Sequence, residues 1–177
     1  MDANVMGTAL TIAFVYDSQN GRYGQKWSIA GNVMQKTMLA NGKGSMSAQG
    51  NVLEMDPAQL AEAQLNSYLF PEAVYKANGY SVTLDGLKDV EGKPAYKVVI
   101  TTASGSKLTN YYAQDSGLKV KYENPSFGDT YFNDYQAKNG VLLPMSWTIK
   151  SPQIPVPLEA KVTSLELNVP VTDGDIN

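Results

Sequence analysis

The stretch TNYYAQDSGLKVKYE, residues 109–123, decides how the chain is read. Two tyrosines run into a polar corner, and an alternating apolar strand runs out of it. Asp115 can cap its own turn, Gly117 can take a positive φ, and the tyrosines can fill a sheet face. Turn chemistry accounts for the whole corner without a nucleophile or its partner.

The same rhythm extends in both directions. Turn signals recur at Asn20-Gly21, Asn41-Gly42, Glu91-Gly92, Ser104-Gly105, Ser116-Gly117 and Asn139-Gly140. Between them, apolar residues fall on alternate positions: Leu10, Ile12, Phe14 and Tyr16; Tyr80, Val82 and Leu84; Tyr96, Val98 and Ile100; Leu118, Val120 and Tyr122; Met145, Trp147 and Ile149. A period of two with one apolar face means antiparallel strands joined by hairpins. In LEAKVTSLELNV, residues 158–169, the apolar parity changes, which predicts a bulge near Thr163–Ser164. One helix stands out. Asp56 is a natural N-cap, Pro57 suits the first helical position, and Gln59 completes a capping pattern. Ala61, Leu65, Tyr68 and Leu69 form its apolar stripe, and Pro71 stops it.

The expected class is α+β: about nine or ten strands in a strongly curved antiparallel sheet, a half-barrel meander wrapped around that helix. The chain reads as a single domain over residues 1–177, a piece of something longer, with residues 170–177 as a frayed tail.

Composition removes several functions. With no cysteine and no histidine, disulfides, thiol catalysis, His-containing triads and His- or Cys-ligated metal sites are unavailable to this chain. The net charge is -3, and the thirteen lysines and one arginine, Arg22, are scattered, so nucleic acid is not an expected partner. No apolar run reaches the roughly 20 residues of a membrane-spanning helix. Asp129 and Asp134 have odd spacing and do not make a glycosidase pair. Asp173 and Asp175 lack the further ligands of a calcium loop. Lys119 and Lys121 read as a solvated strand face. No cofactor and no catalytic residue are implied.

Tyr111-Tyr112, Asp115, Gly117-Leu118 and Val120, followed by Asp134-Tyr135, Asn139-Gly140 and Leu143-Pro144, resemble the hairpins of the LolA/LolB-like lipoprotein carrier and sorting superfamily. Gly92-Lys93-Pro94-Ala95-Tyr96 resembles the turn between the two preceding strands, and the likeness covers roughly residues 5–168. Residues 32–64 are similar to a Bacteroidetes envelope subgroup in which such a domain follows an insulinase-type (M16) zinc peptidase. The resemblance implies a bacterial envelope setting, periplasmic or outer-membrane-associated. It also implies a lipid or an acylated protein as partner, with peptidase domains of a parent protein as further neighbours.

The functional expectation is a non-catalytic binding module that holds acyl chains or an apolar protein segment by burying apolar area, at roughly 25 cal/mol per Å². The candidate lining is Leu10, Ile12, Phe14, Trp27, Met38, Leu65, Tyr68, Leu69, Val98, Tyr112, Val120 and Trp147. The alternative is a structural accessory domain of a larger envelope protein, with no small ligand.

Overall fold

The computed structural model describes residues 1–5, 7–48, 50–103, 105–124, 128–152 and 156–176. The turn expected at Ser104-Gly105 falls partly outside these residues, as does the side chain of Ala61. The described chain forms thirteen strands: β1 Asp2–Val5, β2 Thr8–Asp17, β3 Arg22–Ile29, β4 Asn32–Ala40, β5 Lys43–Ala48, β6 Asn51–Glu54, β7 Ser81–Val90, β8 Lys93–Thr101, β9 Lys107–Ala113, β10 Lys119–Asn124, β11 Gly128–Lys138, β12 Val141–Lys150 and β13 Leu158–Lys161. Two helices accompany them, α1 Pro57–Asn66 and α2 Asp173–Ile176, together with a 3₁₀ turn at Pro71–Val74.

The α+β class, a sheet wrapped around a helix, is overturned. The chain is nearly all sheet, 60% strand against 9% helix. The cause lies in the helix itself. α1 opens as its sequence dictates: Gln59 N–H donates to Asp56 Oδ1 at 2.9 Å, and Asp56 N–H donates to Gln59 Oε1 at 3.0 Å. It then tightens into i→i−3 bonds, from Ser67 N–H to Gln64 O and from Tyr68 N–H to Leu65 O, and ends before Pro71 is reached. Ten residues span only about 15 Å, too little to fill a sheet's interior. Tyr68 and Leu69 therefore lie beyond the helix.

Two compact units are distinguished, Met1–Ala73 with Thr163–Asn177, and Val74–Val162. In the first, the strand order is β6-β5-β4-β3-β2-β1. Directly opposed residues of an antiparallel pair point to the same side. Leu10, Ile12, Phe14 and Tyr16 face Ile29, Trp27, Gln25 and Tyr23, and Tyr23 faces Leu39, which faces Gly44. α1 covers this side: a Cβ on Gly44 would run into the Met55 and Leu60 side chains. The other side carries Arg22, Gly24, Lys26 and Met38.

Of the residues expected to fray, Asp173–Ile176 instead form α2 and lie against that second side. Ile176 is 2% exposed, and its backbone sits over Gly24, where a Cβ would stand 3.2 Å from the Ile176 carbonyl oxygen. The bulge expected near Thr163–Ser164 is also absent. β13 stops at Lys161, and the residues after it leave the ladder, with Leu165 and Val169 exposed.

In the second unit the order is β13-β12-β11-β10-β9-β8-β7. One face carries Val82, Leu84, Val98, Ile100, Tyr112, Tyr122, Ile149 and Trp147. The other carries Lys97, Tyr111, Lys121, Tyr131 and Lys150. Gly128 opens β11 at φ +118° and presses against the Lys150 carbonyl and Ser151 Cα, so no Cβ fits there. Gly128→Ala is expected to cost at least about 3 kcal/mol. Gly140→Ala, at φ +82° in open space, is expected to cost about 1–2 kcal/mol from backbone strain alone. Urea denaturation of both variants measures the difference.

Candidate functional site

Residues of the opening stretch meet on the charged face of the second unit. Tyr111 stands directly across from Lys121, which stands across from Tyr131. Lys121 Nζ donates to Glu123 Oε1 at 2.8 Å and pairs with Asp129 Oδ2 at 2.8 Å. The Tyr111 hydroxyl donates to the same Glu123 oxygen at 2.8 Å. The Lys121 ammonium lies 5.2 Å from the Tyr111 ring centre and 5.5 Å from that of Tyr131, and Lys150 lies 4.1 Å over Tyr131. Lys121 is not the solvated strand residue its sequence position suggests, since its side chain is only 14% exposed.

The tip of the β7–β8 hairpin completes this site. Lys150 donates to Glu91 at 3.0 Å. In a flat sheet the two would sit roughly 30 Å apart, given about 4.8 Å between strands and 3.3 Å per residue. The hairpin therefore bends back across the face. Lys88, Asp89, Val90 and Glu91 of its tip, with Lys97, Tyr111, Lys121, Glu123 and Tyr131, line an open cleft of about 390 Å³.

The electrostatics follow from the contacts. Burial disfavours the charge on Lys121, but hydrogen bonds to Asp129 and Glu123 outweigh it and raise its pKa. Burial favours neutral Glu123, yet Lys121 and Tyr111 hold its carboxyl below the usual range. Burial first, and then the bond to Glu123, push Tyr111 up to about 12. Lys97 pairs with Asp85 at 2.9 Å. Each of these three lysines thus has an acidic partner within the unit. Among the described residues no group of carboxylates is arranged to hold a metal ion.

None of the twelve candidate lining residues borders this cleft. Leu10, Ile12, Phe14 and Trp27 stand together on the α1-covered side of the first unit, where Leu65 is also buried. Met38, opposite Gly24, lies on the reverse side. Tyr68 is half-buried and Leu69 exposed. Val98, Tyr112 and Trp147 share the apolar face of the second unit, and Trp147 meets Phe132 edge-on at 5.5 Å. Val120 sits in the bulge between Lys119 and Lys121.

That apolar face remains uncovered on its outermost hairpin. Val82 is 54% exposed, Leu84 61%, Leu87 48% and Tyr96 39%. Leu84 and Leu87 are three apart and would ordinarily point to opposite sides. A bulge containing Gly86, at φ +78°, lets them oppose Val98 and Tyr96 on one side. Inward on the same face, buried Asn110 donates to the hydroxyls of Tyr75 and Tyr112 at 3.2 and 3.1 Å.

These two faces can be set beside known proteins. A DUF1329-family protein from Desulfovibrio piger matches with a TM-score of 0.59 at 15% identity, over 99% of this chain and 86% of that one. A putative outer membrane lipoprotein-sorting protein domain from Vibrio parahaemolyticus gives 0.59 at 8%, over 96% and 81%. A LolA-superfamily protein from Nitrosomonas europaea gives 0.53 at 9%, over 93% and 84%. The fold is LolA-like. No family model matches the sequence, and no curated protein matches it. No helix among the described residues of this LolA-like chain is long and apolar enough to cross a membrane.

The charge cluster makes stability depend on pH. A depressed Glu123 contributes above its unfolded value of about 4.3 and loses that contribution as pH falls through the folded value. A raised Lys121 contributes below about 10.4 and loses it as pH rises through its folded value. Glu123→Gln is therefore expected to flatten the drop in urea midpoint between pH 7 and about pH 3. Lys121→Met leaves two facing carboxylates uncompensated. With both about one-third exposed, it is expected to cost about 1–3 kcal/mol at pH 7.

Proposed function

We propose that this chain, taken over residues 1–177 as one module, is a non-catalytic envelope binding protein of the carrier type. Its uncovered apolar sheet face would hold a lipid acyl chain or an acylated protein. The observation that carries the proposal is the cluster of Val82, Leu84, Leu87 and Tyr96, exposed together on one side of one hairpin. An edge hairpin with that much exposed apolar area marks an interaction surface. The LolA-like fold and the lipoprotein-sorting description of one structural neighbour support the reading. The envelope setting rests on the same likeness, and association with an M16-type peptidase rests on the sequence resemblance alone.

A second reading, a structural accessory domain without small ligand, is favoured by a different observation. Lys97 and Lys121 in the cleft, and Lys150 bonded to its rim at Glu91, are paired within the unit, which suits a self-contained scaffold.

Titration of the full chain with dansylundecanoic acid separates the two. Carriage predicts enhanced, blue-shifted dansyl emission on binding. Leu84→Asn with Leu87→Asn should weaken it at least tenfold, because each leucine buries about 1.5–3 kcal/mol of apolar area. Both positions are exposed, so the variant should keep the wild-type urea midpoint. A chain that leaves the probe unchanged, or a double variant that binds like wild type, favours the scaffold.

A further inference from the structure

The first unit holds one of its own segments as a ligand would be held. Arg22, the only arginine in the sequence, points its fork at three acceptors. Its Nε and Nη2 donate to Asp17 Oδ2 at 2.8 and 2.5 Å. Its Nη1 donates to Asp173 Oδ1 at 2.6 Å, and Nη2 also donates to the Val171 carbonyl at 2.8 Å. Asp17 is fixed from behind by Asn20 Nδ2, which donates to both of its oxygens at 3.1 and 2.9 Å. Three residues past Asp173, Ile176 is buried against the bare backbone of Gly24. Between them, Asp175 Oδ2 accepts from Thr172 N–H and Oγ at 2.7 and 2.6 Å, which fixes the turn.

The groove therefore holds a main-chain carbonyl, a carboxylate and the backbone of a buried aliphatic residue, presented by a turn that the segment fixes itself. The segment is short, and the residues from Val162 to Thr172 that lead to it form neither strand nor helix. A segment reached through a connection without regular secondary structure can exchange between copies without breaking a ladder.

We propose that the groove of Arg22, Asp17 and Gly24 is a peptide-binding site for an acidic-x-x-aliphatic turn. Val171–Ile176 fills it within the chain, and the same segment of a second copy fills it by exchange. Arg22 reaches the Asp173 carboxylate and the Val171 carbonyl from two separate nitrogens while still bonded to Asp17, a fixed fork that a lysine would lack, and Gly24 supplies the close approach.

The test uses the full chain carrying Asp173→Lys and Ile176→Asp, whose own segment is repelled from the groove. A synthetic peptide of residues 168–176 is added to about 1 mM, and amide shifts of β3 are followed by NMR. Saturable shifts at Arg22–Lys26 are expected, and they should be several-fold smaller in wild type, where the tethered segment competes. They should vanish when Arg22→Gln is added, and weaken with Arg22→Lys. Mixing the double variant with an Arg22→Gln chain pairs one intact groove with one intact segment, and should give a heterodimer by native mass spectrometry. Absence of both peptide shifts and heterodimer in a folded double variant overturns the proposal. So does loss of the strand signal in circular dichroism, because Val171–Ile176 would then be part of the fold rather than a displaceable ligand.

Discussion

An antiparallel ladder has two faces, and a slip of one residue exchanges them. Every functional statement about this chain depends on keeping those faces apart. In the second unit one face is apolar from Val82 across to Trp147, and the other is a row of lysines, tyrosines and carboxylates. Local insertions preserve the separation. The bulge at Asp85–Gly86 returns Leu87 to the apolar side, and the shift between Lys119 and Lys121 brings Lys121 under Tyr111. Without these, the charges would be driven against leucines.

The charged row is stable because its members are solved together. A lone Lys121 at this depth would be disfavoured by desolvation. Two carboxylates and two aromatic faces reverse that balance, and the same ammonium then holds Glu123 ionised. Tyr111 contributes differently. Its hydroxyl gives Glu123 Oε1 a second donor beside Lys121, at the expense of its own ease of ionisation. Such a network specifies register more than it adds net stability, since misaligning β9 and β10 by one residue would strand three charges.

Alternation, turns and the capping box were legible in the sequence because each is a local rule. Asp56 and Gln59 bond reciprocally, and the strands lie where the period of two places them. The extent of the helix was not legible, because its apolar spacing continues through Leu69 while the backbone has already tightened at Ser67. The parity change after Lys161 resembled a bulge, but a strand also needs a neighbour to bond, and residues 163–172 have none in the ladder. The cleft was missed for a related reason. Lys121 and Glu123 at i, i+2 announce a shared face, whereas Glu91 joins only once the hairpin has bent back across it. Nothing in TDGDI announces burial, which arises from Arg22 and Gly24 about 150 positions away.

The β7–β8 hairpin carries the two faces in one element. Leu84, Leu87 and Tyr96 project from one side, while Lys88 to Glu91 at the tip reach into the charged cleft on the other. On the polar side the Glu91–Lys150 pair ties the hairpin to β12, while the Lys97–Asp85 pair lies within the hairpin itself. The partners on the polar side are about half exposed at Asp85, Glu91 and Lys150, so those pairs are weak individually. Burying the leucine cluster outweighs pairs of that strength. Apolar burial, rather than ion pairing, is therefore the larger energetic lever that this hairpin carries.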